Sequence, residues 1–207
     1  ADADDVAWTI PISLGDSHKG YRVVGTTEAF FTYFSFGKER RLAFYKGEAF
    51  EGTFDAVLGS EVATALGYSM GTEVILAHGL ASASFTKHDN QPFVVVGILA
   101  PTGTPVDHTI HVRLEGIEAI HAGGSKVPIG AFAPANRPTT NFSEPESITA
   151  FMLGLKSRMS TFNVQRQINE FAGEPLMAIL PGVALSELWQ TMSIFENVLR
   201  LISALVL

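Results

Sequence analysis

Six histidines are the residues of this chain whose chemistry could support a metal site or proton transfer. They are His18, His78, His88, His108, His111 and His121. A transition-metal site would need two or three of them to converge with a carboxylate such as Asp89, Asp107 or Glu118. Neither a His-Glu-x-x-His nor a His-x-His spacing is present, so such a site would have to combine separate segments.

The strand predicted around His111 limits which side chains could share one ion. Asp107 and His111 lie four residues apart on one side of that strand, about 13 Å at about 3.3 Å per residue, which is too far. An adjacent strand lies only about 4.8 Å away and could bring His78 or His88 beside His108 or His111. These four are the metal candidates, but separate surface or interface histidines are the favoured interpretation. Nothing in the sequence distinguishes a pH sensor from that interpretation.

The sequence contains no motif for hydrolytic catalysis or for nucleotide binding. The serines Ser60 and Ser69 lack a Gly-x-Ser-x-Gly elbow, and no glycine-rich phosphate loop ending in Gly-Lys-Ser/Thr occurs. The carboxylates Glu144 and Glu146 flank a proline in a polar stretch, where a solvated surface is favoured. We therefore expect neither enzymatic activity nor a cofactor.

The composition excludes several classes of protein. The 207 residues are 46% hydrophobic, enough for one large domain or two small ones. The formal net charge is -7 and no long Lys/Arg run occurs, so no nucleic-acid partner is expected. Only 17% of the residues are charged and the mean hydropathy is +0.22, which suggests an attached apolar part. Without cysteine there are no disulfides or thiol ligands, which is compatible with an oxidising compartment.

The periodicity of apolar residues predicts an α+β fold. Strands are predicted over residues 6–13, 21–26, 55–58, 72–77, 93–99, 109–115, 147–155 and 175–180. Residues 59–66 and 160–171 are predicted helices, and 116–121 a short helical turn. We expect residues 1–54 and 126–184 to form one α+β subdomain, into which a β-rich subdomain of residues 55–125 is inserted.

Residues 185–207 are predicted to form one amphipathic helix. Their apolar residues recur every three to four positions, at Leu185, Leu188, Trp189, Met192, Phe195, Leu199 and Ile202. The segment has no Pro or Gly, but it falls well short of the about 20 apolar residues that a membrane helix needs. We expect it to lead into a truncated transmembrane segment.

The order of these elements resembles the periplasmic core domain of MacB/FtsX-like ABC transporter permeases. Residues 54–77, FDAVLGSEVATALGYSMGTEVILA, are similar to a strand, helix and Leu-Gly-x-x-x-Gly turn of that family. Residues 93–99 are similar to the strand that follows, and residues 185–207 resemble the connector into the second membrane helix. The resemblance covers nearly the whole chain.

The resemblance implies that the subdomain built from the two chain ends is porter-like. It further implies a permease of the bacterial inner membrane, with this domain facing the periplasm or the cell exterior and no ATPase of its own. The partners would be a cytoplasmic ATP-binding subunit, a second permease copy and the membrane, reached through flanking helices; a periplasmic or outer-membrane partner is left open. The domain would couple ATP hydrolysis to export or mechanical work. Its membrane-coupling helix would use Leu188, Trp189, Met192, Phe195, Leu199 and Ile202.

The alternative function is a soluble periplasmic module that binds a metal or another ligand through the histidines. The two hypotheses differ in whether membrane helices flank the domain. The sequence does not identify a transported substrate.

Overall fold

The structure is a computed structural model, and it describes residues 5–78, 92–121 and 147–206. The chain divides into two compact units, Trp8–Gly154 and a second unit of Ala1–Ala7 with Leu155–Leu207. The strands are β1 (Val6–His18), β2 (Tyr21–Thr26), β3 (Ser35–Phe36), β4 (Arg40–Arg41), β5 (Phe44–Gly47), β6 (Asp55–Leu58), β7 (Glu73–Val74), β8 (Ala77–His78), β9 (Phe93–Leu99), β10 (Thr109–Arg113) and β11 (Ala150–Leu155). The helices are α1 (Ala29–Tyr33), α2 (Ser60–Leu66), α3 (Leu114–His121), α4 (Thr161–Asn169) and α5 (Pro181–Val206).

A mixed sheet organises the larger unit, and it confirms the predicted α+β class. Its described strands run in the order β11-β1-β2-β10-β6-β9-β5, with β7 also on β9 and β8 also on β1. The strands β1 and β2, predicted over residues 6–13 and 21–26, pair antiparallel, and β10 joins β2 in parallel, pairing His111 with Val24. The strand β6 lies antiparallel to β10 and parallel to β9. Parallel pairs require crossover connections, and α2 lies in the connection between β6 and β9, while α3 follows β10.

The two faces of the sheet bury different apolar clusters because successive strand residues point to opposite sides. On one face, Leu58 and Ile110 pack with Val62 of α2 and Ile117 of α3. On the other, Val57 and Ile10 pack with aromatic residues of and near α1, including Phe30, Phe31 and Phe50. The continuous apolar sequences of β6 and β9 therefore match strands that are covered on both faces.

Strands predicted on both sides of residue 54 share this sheet. Within the described residues, β10 pairs with β2 and with β6, so residues 55–125 contribute central strands beside those of residues 1–54. The predicted subdomain division at residues 54 and 125 is not visible in this pairing and stays a prediction.

Most local predictions agree with the described elements. The helix predicted over residues 59–66 is α2, and Gly67 ends it in the left-handed conformation that glycine adopts without strain. The predicted strand over 93–99 is β9, and the short helical turn predicted over 116–121 is extended by two residues in α3.

The strand predicted over residues 175–180 is wrong. The structure assigns these residues to no strand, and side chains of α4 hold them instead. The Ala178 N–H donates to Asn169 Oδ1 at 2.7 Å, and Gln165 Nε2 donates to the Ala178 carbonyl at 3.1 Å. The two side-chain amides thus satisfy the backbone N–H and carbonyl of Ala178, within the apolar run, without a neighbouring strand.

In the smaller unit, α4 and α5 follow the end of β11. A short 3₁₀ turn, Arg158–Ser160, leads directly into α4. The residue Pro181 begins α5, where a proline is tolerated because the first N–H of a helix has no partner. Pro181 and Gly182, which directly follow the strand predicted over residues 175–180, thus begin the long helix.

Candidate functional site: the exposed C-terminal helix and the histidines

Helix α5 is one continuous element, as predicted for the described part of residues 185–207. It runs over 26 residues, Pro181–Val206, which corresponds to about 39 Å at 1.5 Å per residue. After Gly182 the segment contains no residue that breaks a helix. The sequence pattern alone was sufficient for this prediction because the apolar spacing persists over about five turns.

The six residues predicted for the membrane-coupling helix all lie on α5 with exposed side chains. Their exposed fractions range from 52% for Ile202 to 71% for Trp189. At 100° per residue, Leu188, Met192, Phe195, Leu199 and Ile202 fall within one arc of about 80°, and Trp189 flanks it. A polar edge carries the ion pair between Glu196 and Arg200. An exposed apolar stripe of this length is typical of a surface that another apolar body covers.

Exposure extends beyond the predicted stripe. Ile194, Val198 and Leu201 on the neighbouring arc are also more than half exposed. Among the described residues, no helix combines the length and hydropathy that would allow it to cross a membrane.

His111 lies in the core of the larger unit. Its side chain is 1% exposed and packs against the rings of Phe30 and Phe31, with ring centroids 4.8 and 5.9 Å away. Burial lowers its pKa to about 4, although a hydrogen bond to the Val57 backbone acts in the opposite direction. Among the described residues, its Nδ1 has no hydrogen-bond partner. A neutral imidazole enclosed by apolar rings cannot reach a solvent-borne ion.

Of the other predicted metal candidates, only His108 has a side chain that the structure describes, and it is exposed while His111 is buried. His108 is exposed and lines an open depression of about 550 Å³ with Glu61, Pro105 and Asp107. His78 lies on β8, which pairs with β1, while His88 lies outside the described residues. In the described ranges, no three His, Asp or Glu side chains are arranged to hold a metal ion. The metal- or ligand-binding alternative is therefore not favoured.

The loop before β10 is organised around a carboxylate that the sequence marked only as a metal candidate. Asp107 is buried and accepts hydrogen bonds from the Thr102 N–H and hydroxyl and from the Gly103 N–H, at 2.7 to 3.1 Å. Burial raises the pKa of Asp107, but these hydrogen bonds outweigh it and hold the pKa below its ordinary value. Asp107 thus stabilises the conformation of residues 102–108 through the hydrogen bonds that its carboxylate accepts.

Comparison with known families decides the identity of the chain. The MacB-like periplasmic core domain family matches residues 2–171. This chain belongs to that family. The periplasmic core domain is the periplasm-facing part of an ABC transporter permease, which belongs to a transporter family and not to a catalytic one. No curated protein matches the chain.

The matched range includes the whole mixed sheet and α4 but not α5. The family match ends at residue 171, ten residues before α5 begins.

Proposed function

We propose that this domain couples cytoplasmic ATP hydrolysis to export or mechanical work across the bacterial inner membrane, and that α5 transmits the motion. The observation that carries the proposal is the long uninterrupted α5, with its apolar side chains exposed along its length. Membership of the MacB-like family supports a role in transport, because such domains belong to ABC transporter permeases.

A helix can transmit displacement because its backbone hydrogen bonds make it stiff along its axis. The exposed stripe of Leu188, Met192 and Leu199 provides a surface on which membrane lipid or a neighbouring helix can pack. Trp189 suits the boundary between membrane and water, where an amphipathic ring is favoured. Coupling of this kind needs rigid elements and two alternative arrangements, and it needs no catalytic side chain.

The proposed partners follow from this role. A cytoplasmic ATP-binding subunit supplies the energy, a second permease copy completes a dimer, and flanking membrane helices join the domain to both. The net charge of -7 and the absence of a basic run continue to argue against a nucleic-acid partner.

A proline at position 191 tests the role of α5. In the full permease with its ATP-binding subunit, Thr191→Pro places a helix breaker in the middle of α5. A helix-interior proline costs about 3 kcal/mol and kinks the helix, so export should fall at least about tenfold while ATP hydrolysis continues. ATPase and export rates are measured on the same preparation.

Thr191→Ala is the matched control, because it removes the same hydroxyl while keeping a strong helix former. It should export like the unmodified protein. If Thr191→Pro also exports normally, α5 is only a tether and the mechanical proposal fails.

A further inference from the structure

A basic and apolar surface lies on the smaller unit, formed by α4 and the residues before it. We propose that this surface binds the anionic lipid headgroups of the membrane that carries the permease. We call it the α4 basic face; it consists of Lys156, Arg158, Met159, Phe162 and Arg166. The proposal goes beyond the coupling role of α5 and concerns a different set of residues.

Two of these residues share one side of α4. Phe162 and Arg166 are four residues apart on the helix, so their side chains lie along one surface. Phe162 is 71% exposed, while Val164, on the opposite side of α4, is 3% exposed. Arg158 and Met159 lie in the 3₁₀ turn that leads into α4, and Met159 is 92% exposed.

The charge on this segment is opposite to that of the chain. Residues 147–169 contain three cations and no carboxylate, whereas the whole chain has a net charge of -7. Among the described residues, Lys156, Arg158 and Arg166 form no ion pair. The nearest acids in sequence, Glu170 and Glu174, follow the end of α4. Three cations without an ion pair in the described part of the chain thus lie near two exposed apolar side chains in the sequence.

Local hydrogen bonds hold this surface in place. Ser157 Oγ accepts from the Met159 N–H at 3.2 Å, and the Thr161 hydroxyl donates to the Arg158 carbonyl at 2.8 Å. The carboxylate of Asp5 accepts a hydrogen bond from the Ser160 hydroxyl at 2.8 Å. The exposure of Met159 therefore belongs to an ordered turn that has its own capping contacts.

This combination fits the surface of an anionic bilayer. Segments that lie in the headgroup region insert phenylalanine and similar side chains while lysine and arginine contact lipid phosphates. The same compact unit contains the exposed apolar helix α5, and the family places the domain on the periplasmic side of a membrane. An acidic protein partner would satisfy the cations but would leave Met159 and Phe162 without a comparable apolar medium.

Vesicle binding tests the proposal directly. The purified chain is sedimented with vesicles of phosphatidylcholine alone or of phosphatidylcholine with phosphatidylglycerol, at low and high salt. We expect preference for the anionic vesicles, reduced by salt. Each cation near such a surface contributes about fivefold in affinity, so the Arg158→Gln, Arg166→Gln double variant should bind them about 30-fold more weakly. Binding to the neutral vesicles measures any contribution of α5. We expect this binding to be equal for the unmodified chain and the double variant.

Two matched controls distinguish this surface from general effects. Lys38→Gln with Lys46→Gln removes two exposed cations from the larger unit and should leave vesicle binding unchanged. For the apolar part, Met159→Ser with Phe162→Ser should weaken binding, while Met177→Ser, which alters another exposed methionine of the same unit, should not. All substituted side chains are exposed, and circular dichroism checks that each variant folds.

Equal binding to neutral and anionic vesicles, or unchanged binding after Arg158→Gln with Arg166→Gln, would overturn the proposal. Capture of an acidic protein by this face without vesicle binding would overturn it as well. Neither result touches the coupling role of α5, which is tested with Thr191→Pro in the full permease.

Discussion

The buried imidazole of His111 makes the stability of this domain depend on pH. Its pKa is about 4 in the folded chain, against an ordinary value of 6.5, because burial disfavours the charged ring. Between these two pH values His111 is therefore mostly neutral in the folded chain and mostly protonated in the unfolded chain. The stability linked to His111 is fully present above pH 6.5 and is lost as the pH falls from 6.5 toward 4.

We predict that acidification from pH 7.5 to pH 5 costs about 2 kcal/mol through His111 alone. Urea unfolding at the two pH values measures this loss, and His111→Leu should reduce it by that amount. His18, whose pKa burial also lowers, is present in both proteins, so its contribution cancels. An identical pH dependence in the variant would show that His111 is not the responsible group.

The sequence could identify His111 as a candidate but could not place it. Strand periodicity sets which residues share a side, yet both sides of β10 are covered, and the sequence does not state which helix covers them. The five-residue helix α1, whose Phe30 and Phe31 enclose the imidazole, is too short for its apolar spacing to predict. Tertiary packing therefore decides that this histidine is enclosed and that His108 is exposed.

At the scale of elements, a glycine allows β11 to lie under a tryptophan. A Cβ at Gly154 would overlap the indole ring of Trp8, which itself stacks on Tyr33 with centroids 5.4 Å apart. We predict that Gly154→Ala lowers the free energy of unfolding by about 1–3 kcal/mol, as overpacking usually does. Chemical denaturation provides the measurement.

Gly182→Ala is the control for that substitution, because a Cβ there meets no atom within 4 Å and alanine favours a helix. It should be neutral or stabilising. Equal destabilisation by both substitutions would indicate a general glycine effect and would argue against the proposed packing.

The predictions of helices and strands were correct where the residue types of a segment favour the conformation that it adopts. The β-branched residues of β6 and β9 and the capping Gly67 are local signals, so the sequence was enough for them. Residues 175–180 have a similar apolar run, but the side chains of Asn169 and Gln165, nine and thirteen residues before Ala178, bond the backbone of Ala178. No pattern within residues 175–180 indicates these bonds. For Lys156, Arg158 and Phe162 the sequence favoured an ordinary solvated helix start, and the structure adds that Val164 is buried on the opposite side of α4.

For the whole molecule, the exposed stripe on α5 predicts self-association of the isolated chain. Replacing Leu199 and Ile202 with Ser should shift sedimentation toward the monomer, because each removes an exposed apolar side chain that a second copy can cover. The fold should persist, since neither residue is buried. Met177→Ser with Ile179→Ser alters equally exposed residues outside α5 and should leave the association state unchanged. A stripe variant that associates like the unmodified chain would contradict the prediction.

The central claim is that α5 moves when ATP is hydrolysed. This domain has no cysteine, so Gln190→Cys at an exposed position of α5 gives it a single site for a spin label. Pulsed electron spin resonance then measures the label-to-label distance in the full permease, without nucleotide and in the trapped ATP state. We predict a change of about 5 Å, comparable to one helical turn. An unchanged distance while ATP is being hydrolysed would contradict the claim.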